Sequence, residues 1–259
     1  MPFAQKLLYY VPPMILGVVI ILIFVGFAIG GILLVRRFIP HHKLKVHNDV
    51  ASAIFNTLGV AYTVLLAFVV VIAWQNYDKC GVNVEKEANC VVALYRDSIA
   101  FPETFRNEAR SLIKEYVVTI IKEEWKLIAK GQQSLAAHEI LEKIWISYSS
   151  YEPKTENEKI FLAESVRKLN EAGELRRLRL MDSRSGIHGI LWAILITGGI
   201  TTIVFTLFFG SENLKAQLLM SSMLAMVIAM ILFTILLLDF PFTGGMHITW
   251  EAFKPMVRV

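Results

Sequence analysis

The chain has 259 residues, 55% of them hydrophobic, with a formal net charge of +4 and a mean hydropathy of +0.54. A soluble domain is about 45–50% apolar, so the excess excludes an ordinary water-soluble fold, and so diffuse a charge gives no case for nucleic acid as a partner. Cys80 and Cys90 fall on what reads as one helix, about 15 Å apart, which excludes a disulfide between them at the ~4.4–6.8 Å such a bond spans.

The apolar residues are concentrated in Met14–Val35, Val50–Trp74, Ile187–Phe209 and Ala216–Leu238, none of which holds an Asp, Glu, Lys or Arg. Each is near or above the ~20 residues a helix needs to cross ~30 Å of hydrocarbon. The chain therefore reads as an all-α membrane protein with four transmembrane helices in two hairpins. Residues 1–75 form the first hairpin, 76–186 a helical extramembrane domain, and 187–259 the second hairpin with an interfacial C-terminal tail. The first apolar run exceeds a secretory h-region, lacks a small-x-small cleavage site and ends at Arg36 and Arg37, so it reads as a retained helix. Within it, Gly26 and Gly30 have the spacing that permits close helix contact.

The loop "RRFIPHHKLKVHND" after this run holds His41, His42, His47 and Asp49. Adjacent histidines rarely both ligate and no second cluster completes a site, so no metal is expected; contact of the basic residues with lipid headgroups fits better.

The second apolar block carries a stripe of polar and small residues at helical spacing: Asn48, Ser52, Asn56, Gly59, Thr63 and Ala67. Two readings stay open here. The stripe packs against a neighbouring helix, with small residues allowing close approach and amides bonding across, or it lines a pore wetted by water and ions. Phe55, Tyr62 and Phe68 flank it, as a hydrophobic gate in the second reading and as core in the first.

The polar region is helical by pattern. In "PETFRNEARSLIKEYVVTIIKEEWKLIAKG", Phe105, Ala109, Leu112, Tyr116, Ile120 and Leu127 make an apolar stripe, which Pro102 precedes and Gly131 ends. A shorter helix begins after Ser134, and Thr155 with Glu158 has capping-box spacing. The two outermost helices of this region are predicted to continue the second and third membrane spans. The third span offers Gly189, Ala193, Thr197 and Thr201 for packing, and the fourth Ser222, Ala225 and Ala229. In the tail "LDFPFTGGMHITWEAF", Asp239 precedes Phe240 and Pro241, so the fourth helix should stop there. Trp250 and Phe253 suit an interfacial anchor; Asp239 is either part of the helix stop or a charge at a pore mouth.

No phosphate-binding glycine loop, HExxH or nucleophile elbow is present, so neither an enzyme nor a cofactor is expected. Apart from His188 near an interface, the spans hold nothing ionisable, which argues against pumps and proton-coupled carriers. Lys and Arg flanking the spans, among them Lys6, Lys79, Lys86, Arg176, Arg177, Arg179, Arg184, Lys254 and Arg258, place the helical domain on the cytoplasmic side.

Three segments resemble the bacterial bestrophin-like family: "NTLGVAYTVLLAFVVVIAW" (Asn56 to Trp74), "EANCVVALYRDSIAFP" (Glu87 to Pro102) and "LDFPFTGG" (Leu238 to Gly245). The resemblance implies an anion channel of the bacterial inner membrane, pentameric, with the second span lining the pore and inorganic ions as its cargo. The second span here departs from bestrophins in having no proline, and no acidic cluster for calcium is found. The expected function is thus an oligomeric ion channel in the lipid bilayer. A membrane-anchored scaffold or sensor, whose helical domain binds a protein, is the alternative.

Overall fold

In hydrocarbon every backbone N–H and C=O must be paired, so long apolar runs without alternating strands fold as helices. The computed structural model describes residues 2–184 and 186–257, without the side chains of His41, His42 and Val257, and no β-strand occurs among them. The metal candidates His41 and His42, as side chains, and Arg258 thus lie outside the described residues. In chain order the helices are α1 (Phe3–Tyr10), α2 (Pro13–Phe38), α3 (His41–Lys45), α4 (Asn48–Asp97), α5 (Glu103–Thr119), α6 (Trp125–Ile128), α7 (Leu135–Ser149), α8 (Glu156–Asp182), α9 (Gly189–Leu207), α10 (Leu214–Asp239) and α11 (Lys254–Val257). A π-helical turn, Ile120–Glu124, joins α5 to α6. Helices α2, α4, α9 and α10 are long and apolar enough to cross a membrane; α2, α4 and α10 contain their blocks whole, while α9 is two residues shorter at each end than the third block.

The chain divides into two units. One comprises Tyr10–Gln75 and Ile187–Asp239; the other comprises Met1–Tyr9, Asn76–Gly186 and Phe240–Val259. In the first, α4 buries Tyr62, Leu66, Val69 and Ala73, residues three and four apart on one face, with Leu195 and Ile203 of α9 and Ala225, Ile228 and Leu232 of α10 also in the core. Many other bulky apolar side chains, such as Leu34, Met223 and Val227, are exposed, as lipid-facing helix surfaces require. Gly198 admits the Tyr62 ring so closely that a β-carbon would lie 2.6 Å from it. At Gly26 and Gly30, by contrast, a β-carbon would meet no described residue within 4 Å; Gly17 and Gly31 are the α2 glycines that receive Phe233 and Leu207.

The helical unit is built on the α5 stripe, where Phe105, Ala109, Ile113, Tyr116, Val117 and Ile120 are buried. The π turn then inserts an extra residue and rotates the C-terminal remainder of the helix by about 100°. Glu124, Trp125 and Ile128 therefore turn inward, and Leu127, predicted on the stripe, is only half-buried. Gly131 ends this run at φ 67°, a left-handed conformation that glycine adopts without strain. Ser134 and Thr155 cap α7 and α8 by accepting from the N–H groups of Ala137 and Glu158. The Glu158 carboxylate accepts from the Lys154 N–H and the Tyr151 hydroxyl at 2.8 and 2.7 Å.

Two expectations need correction. The second span does continue, as α4 to Asp97, but the helix before the third span does not: α8 stops at Asp182 and α9 begins at Gly189. Ser183 folds its hydroxyl back onto Leu180 O (2.7 Å), and the Arg184 side chain donates to Gly131 O (2.9 Å). The tail also differs. Phe253 is fully buried beside Trp125, 6.0 Å between ring centres, so it belongs to the core of the helical unit rather than to an interface with lipid. Cys80 and Cys90 are both buried and free.

Candidate functional site

The α4 surface in the first unit has three sectors. One is the packed face through Tyr62, Leu66, Val69 and Ala73. A second is bulky, apolar and exposed, with Val60, Val64, Phe68 and Val71. Between them runs the polar sector read from the sequence, where Ser52, Asn56, Thr63 and Ala67 are exposed and Gly59 is half-buried. Phe55, Asn56, Gly59, Val60, Thr63 and Val64 line a shallow open groove there. Asn56 makes no side-chain hydrogen bond to any described residue.

The remaining predicted residues are placed otherwise, and the chain itself explains them. Asn48 exchanges two hydrogen bonds with Gly210, Nδ2 donating to its carbonyl at 2.8 Å and Oδ1 accepting from its N–H at 2.9 Å. Its amide thereby pins the loop before α10 instead of facing a channel. Tyr62 is buried at 7% exposure and donates to Leu195 O at 2.8 Å, so its ring packs α4 onto α9 and is not free to gate. Phe55 stacks within the unit, 5.7 Å from Phe205 and 5.6 Å from Phe209, and is half-buried, whereas Phe68 is exposed. Asp239 is buried; its carboxylate accepts from the Ile187 N–H and, at 3.0 Å, from Trp192 Nε1. It fixes the entry to α9 and offers no exposed charge to a pore mouth.

On α9, Ala193, Thr197 and Thr201, expected to pack, are exposed. With Leu58, Tyr62 and Gly198 they line an open groove of about 400 Å³. Ala225 and Ala229 of α10 do pack, and Ser222 is half-buried.

The helical unit holds a second constellation that sequence reading did not assemble. Arg179 on α8 donates to both oxygens of Glu87 on α4, at 2.7 and 2.8 Å, and to Glu124 Oε1 at 2.9 Å. Arg176 donates to the two Glu124 oxygens at 3.1 and 2.5 Å and to Ser134 O at 3.3 Å. All four side chains are buried, and the Arg179 guanidinium lies 5.0 Å over the Trp125 ring. Two carboxylates against two guanidinia make the cluster neutral, which is what lets it exist away from water. Burial works to raise the Glu124 carboxyl, but Arg179 and Arg176 outweigh it and hold the group below the usual carboxylate range. For Arg179, burial works to lower the guanidinium, and Glu87 and Glu124 more than reverse it. Burial, then Glu87, pushes the Tyr116 phenol well above its ordinary value.

Arg176 and Arg179 had read as membrane-flanking charges. Their i, i+3 spacing was visible, but the burial of Glu124 depends on the π turn, which no local pattern announces. The tail completes the surroundings of Trp125: Ile248 O accepts from Trp125 Nε1 at 3.1 Å, and Phe242 lies 6.2 Å from its ring.

A family model described as Bestrophin-like domain matches residues 22–253. No curated protein matches the chain. Among solved structures, the chain is similar to a bacterial Bestrophin homolog from Klebsiella pneumoniae carrying an isoleucine-to-threonine mutation. The identity is 13% and the TM-score 0.69, covering 93% of this chain and 98% of that one. A mutant described as a membrane protein is similar at 14% identity and a TM-score of 0.68, covering 93% and 96%. At such identities the likeness is one of fold.

Proposed function

The chain belongs to the Bestrophin-like domain family as an integral membrane protein, and from that premise we propose that it conducts ions passively through a pore lined by α4. The observation that carries this is the exposed polar sector of Ser52, Asn56, Thr63 and Ala67. An amide turned toward acyl chains loses its hydrogen bonds, at a cost of roughly 2–7 kcal/mol. Asn56, whose side chain has no hydrogen-bond partner among the described residues, therefore needs water or a second copy of the protein. Copies arranged with α4 around an axis supply both, and the family resemblance implies five. The lining is neutral, so amide and hydroxyl dipoles replace part of an ion's hydration. Anion preference is the resemblance's implication.

In this reading the protein lies in a bacterial inner membrane with the helical unit cytoplasmic. Buried Arg176 and Arg179 drop out of the flanking charge, but Lys6, Lys79, Lys86 and Arg177 remain exposed to support that orientation.

The test is reconstitution into a planar bilayer under a salt gradient. Discrete currents with a non-zero reversal potential are expected, and Asn56→Ala should alter conductance or selectivity while the oligomer stays intact. Exposed Ile99, Leu135, Ile146 and Ile160 on the helical unit support a second reading, a membrane-anchored scaffold whose helices bind a protein partner. Silence across voltage, pH and calcium, with Asn56→Ala dissociating the oligomer, would favour it.

A further inference from the structure

At the loop end of α2 a guanidinium is held by neutral groups alone. Arg36, half-buried, donates to Gln217 Oε1 from Nε (3.1 Å) and Nη2 (2.6 Å), and from Nη2 to Ser211 O at 2.5 Å. Gln217 is buried, and its own Nε2 donates to Phe209 O at 2.8 Å, which leaves only its carbonyl oxygen to face Arg36. The side chain is thus locked in place with Nη1 unspent.

No carboxylate among the described residues pairs with Arg36; Glu212, in the neighbouring loop, bonds Lys45 at 2.7 Å. Gln217 also stands in the first turn of α10, where the aligned backbone dipoles add positive potential. A partly desolvated cation beside a helix N-terminus is unfavourable unless an anion completes it. Arg37 and Lys215 are exposed and add to the field, and Phe38 and Val46 expose apolar surface at 75% and 77%. An anchored cation, further exposed cations and apolar flanks at the end of a membrane helix fit one chemistry. That chemistry is a phosphate with acyl chains attached.

We infer that Arg36 is the fixed phosphate-binding group of an anionic phospholipid site at the α2 loop, with Arg37 and Lys215 supplying the surrounding charge. The site is independent of whether α4 lines a pore. A free phosphate anion shares the chemistry and is distinguished by the test.

Full-length protein, delipidated in a neutral detergent, is offered dioleoylphosphatidylglycerol or dioleoylphosphatidylcholine, and retained lipid is counted by native mass spectrometry. Phosphatidylglycerol should be retained over phosphatidylcholine, and Arg36→Gln should reduce its retention about tenfold, the scale of a charged hydrogen bond. Arg37→Gln combined with Lys215→Gln, which removes only the surrounding charge, should reduce retention by a smaller factor than Arg36→Gln does. Equal retention of the two lipids overturns the site, as does retention indifferent to Arg36→Gln or abolished by the exposed pair of changes. Should Arg36→Gln not fold, the lipid comparison and the exposed pair still decide. Inorganic phosphate is tested alone by thermal unfolding. If it protects wild type as strongly as phosphatidylglycerol does, the lipid assignment fails and the anion site stands.

Discussion

Arg179 and Glu87 form a two-pronged ion pair, at 2.7 and 2.8 Å, in which neither side chain retains exposure to water. Such a pair stabilises little by existing, because both ions were stripped of hydration to make it, but removing one partner strands the other. Glu87→Ala should therefore destabilise the helical unit by about 3–5 kcal/mol. Combining Glu87→Leu with Arg179→Met should recover most of that loss, since Glu124 still has Arg176. Thermal unfolding of the three variants in one detergent checks it. A double variant as unstable as Glu87→Ala would mean the loss comes from packing rather than from a stranded charge.

Acid should find the same cluster through Glu124. Its carboxyl is held below the ordinary 4.5 because the two arginines outweigh its burial. A group depressed in the folded state contributes stability that is fully present above its unfolded pKa and is lost as pH falls through the folded one. The stability that Glu124 contributes should thus be full and independent of pH near neutrality, and the melting temperature should fall progressively below about pH 4.5. Glu124→Gln should be less stable than wild type at pH 7, and the gap should narrow as the pH drops. A gap constant from pH 7 to pH 3 would show that ionisation of Glu124 is not what the arginines hold.

The range of the forces involved separates the legible features from the rest. The membrane helices were readable because each is a local, unbroken apolar run, and the end of α10 at Asp239 was readable because Pro241 lies so close behind it. The caps at Ser134 and Thr155 are local too, and both are made. Where a partner lies far along the chain, the sequence misled. Tyr62 owes its place to Leu195 and Gly198, Asn48 to Gly210, and Phe253 to Trp125. Of the candidate pore stripe, Ser52, Asn56, Thr63 and Ala67 keep the exposure that a pore requires. What they face is not set by any local pattern in the sequence.

Tyr62 offers a clean separation of bonding from packing. Its hydroxyl donates to Leu195 O at 2.8 Å while its ring lies against Gly198. Tyr62→Phe keeps the ring and should cost only about 0.5–1.5 kcal/mol. Gly198→Ala drives a methyl into that ring and should cost about 1–3 kcal/mol, since overpacking forces neighbours from their preferred rotamers. Thermal unfolding ranks the two. If Tyr62→Phe proved the more damaging, the hydroxyl rather than the close approach would be what joins α4 to α9.

A ring of charge introduced at Asn56 tests the pore directly. Asn56 is exposed and its side chain makes no hydrogen bond to any described residue, so replacing it disturbs no packed neighbour and should change stability by less than about 0.5 kcal/mol. In a pore, Asn56→Asp brings one negative charge per subunit to the same depth, and cations should be favoured. Asn56→Lys should favour anions by the same argument. Reversal potentials under a salt gradient should therefore move in opposite directions for the two variants, with wild type between them. Currents that persist without moving would place Asn56 off the conduction path even if the protein is a channel. Loss of the oligomer in both variants would instead locate the residue where two copies meet, because a charge buried there has no counter-ion to neutralise it.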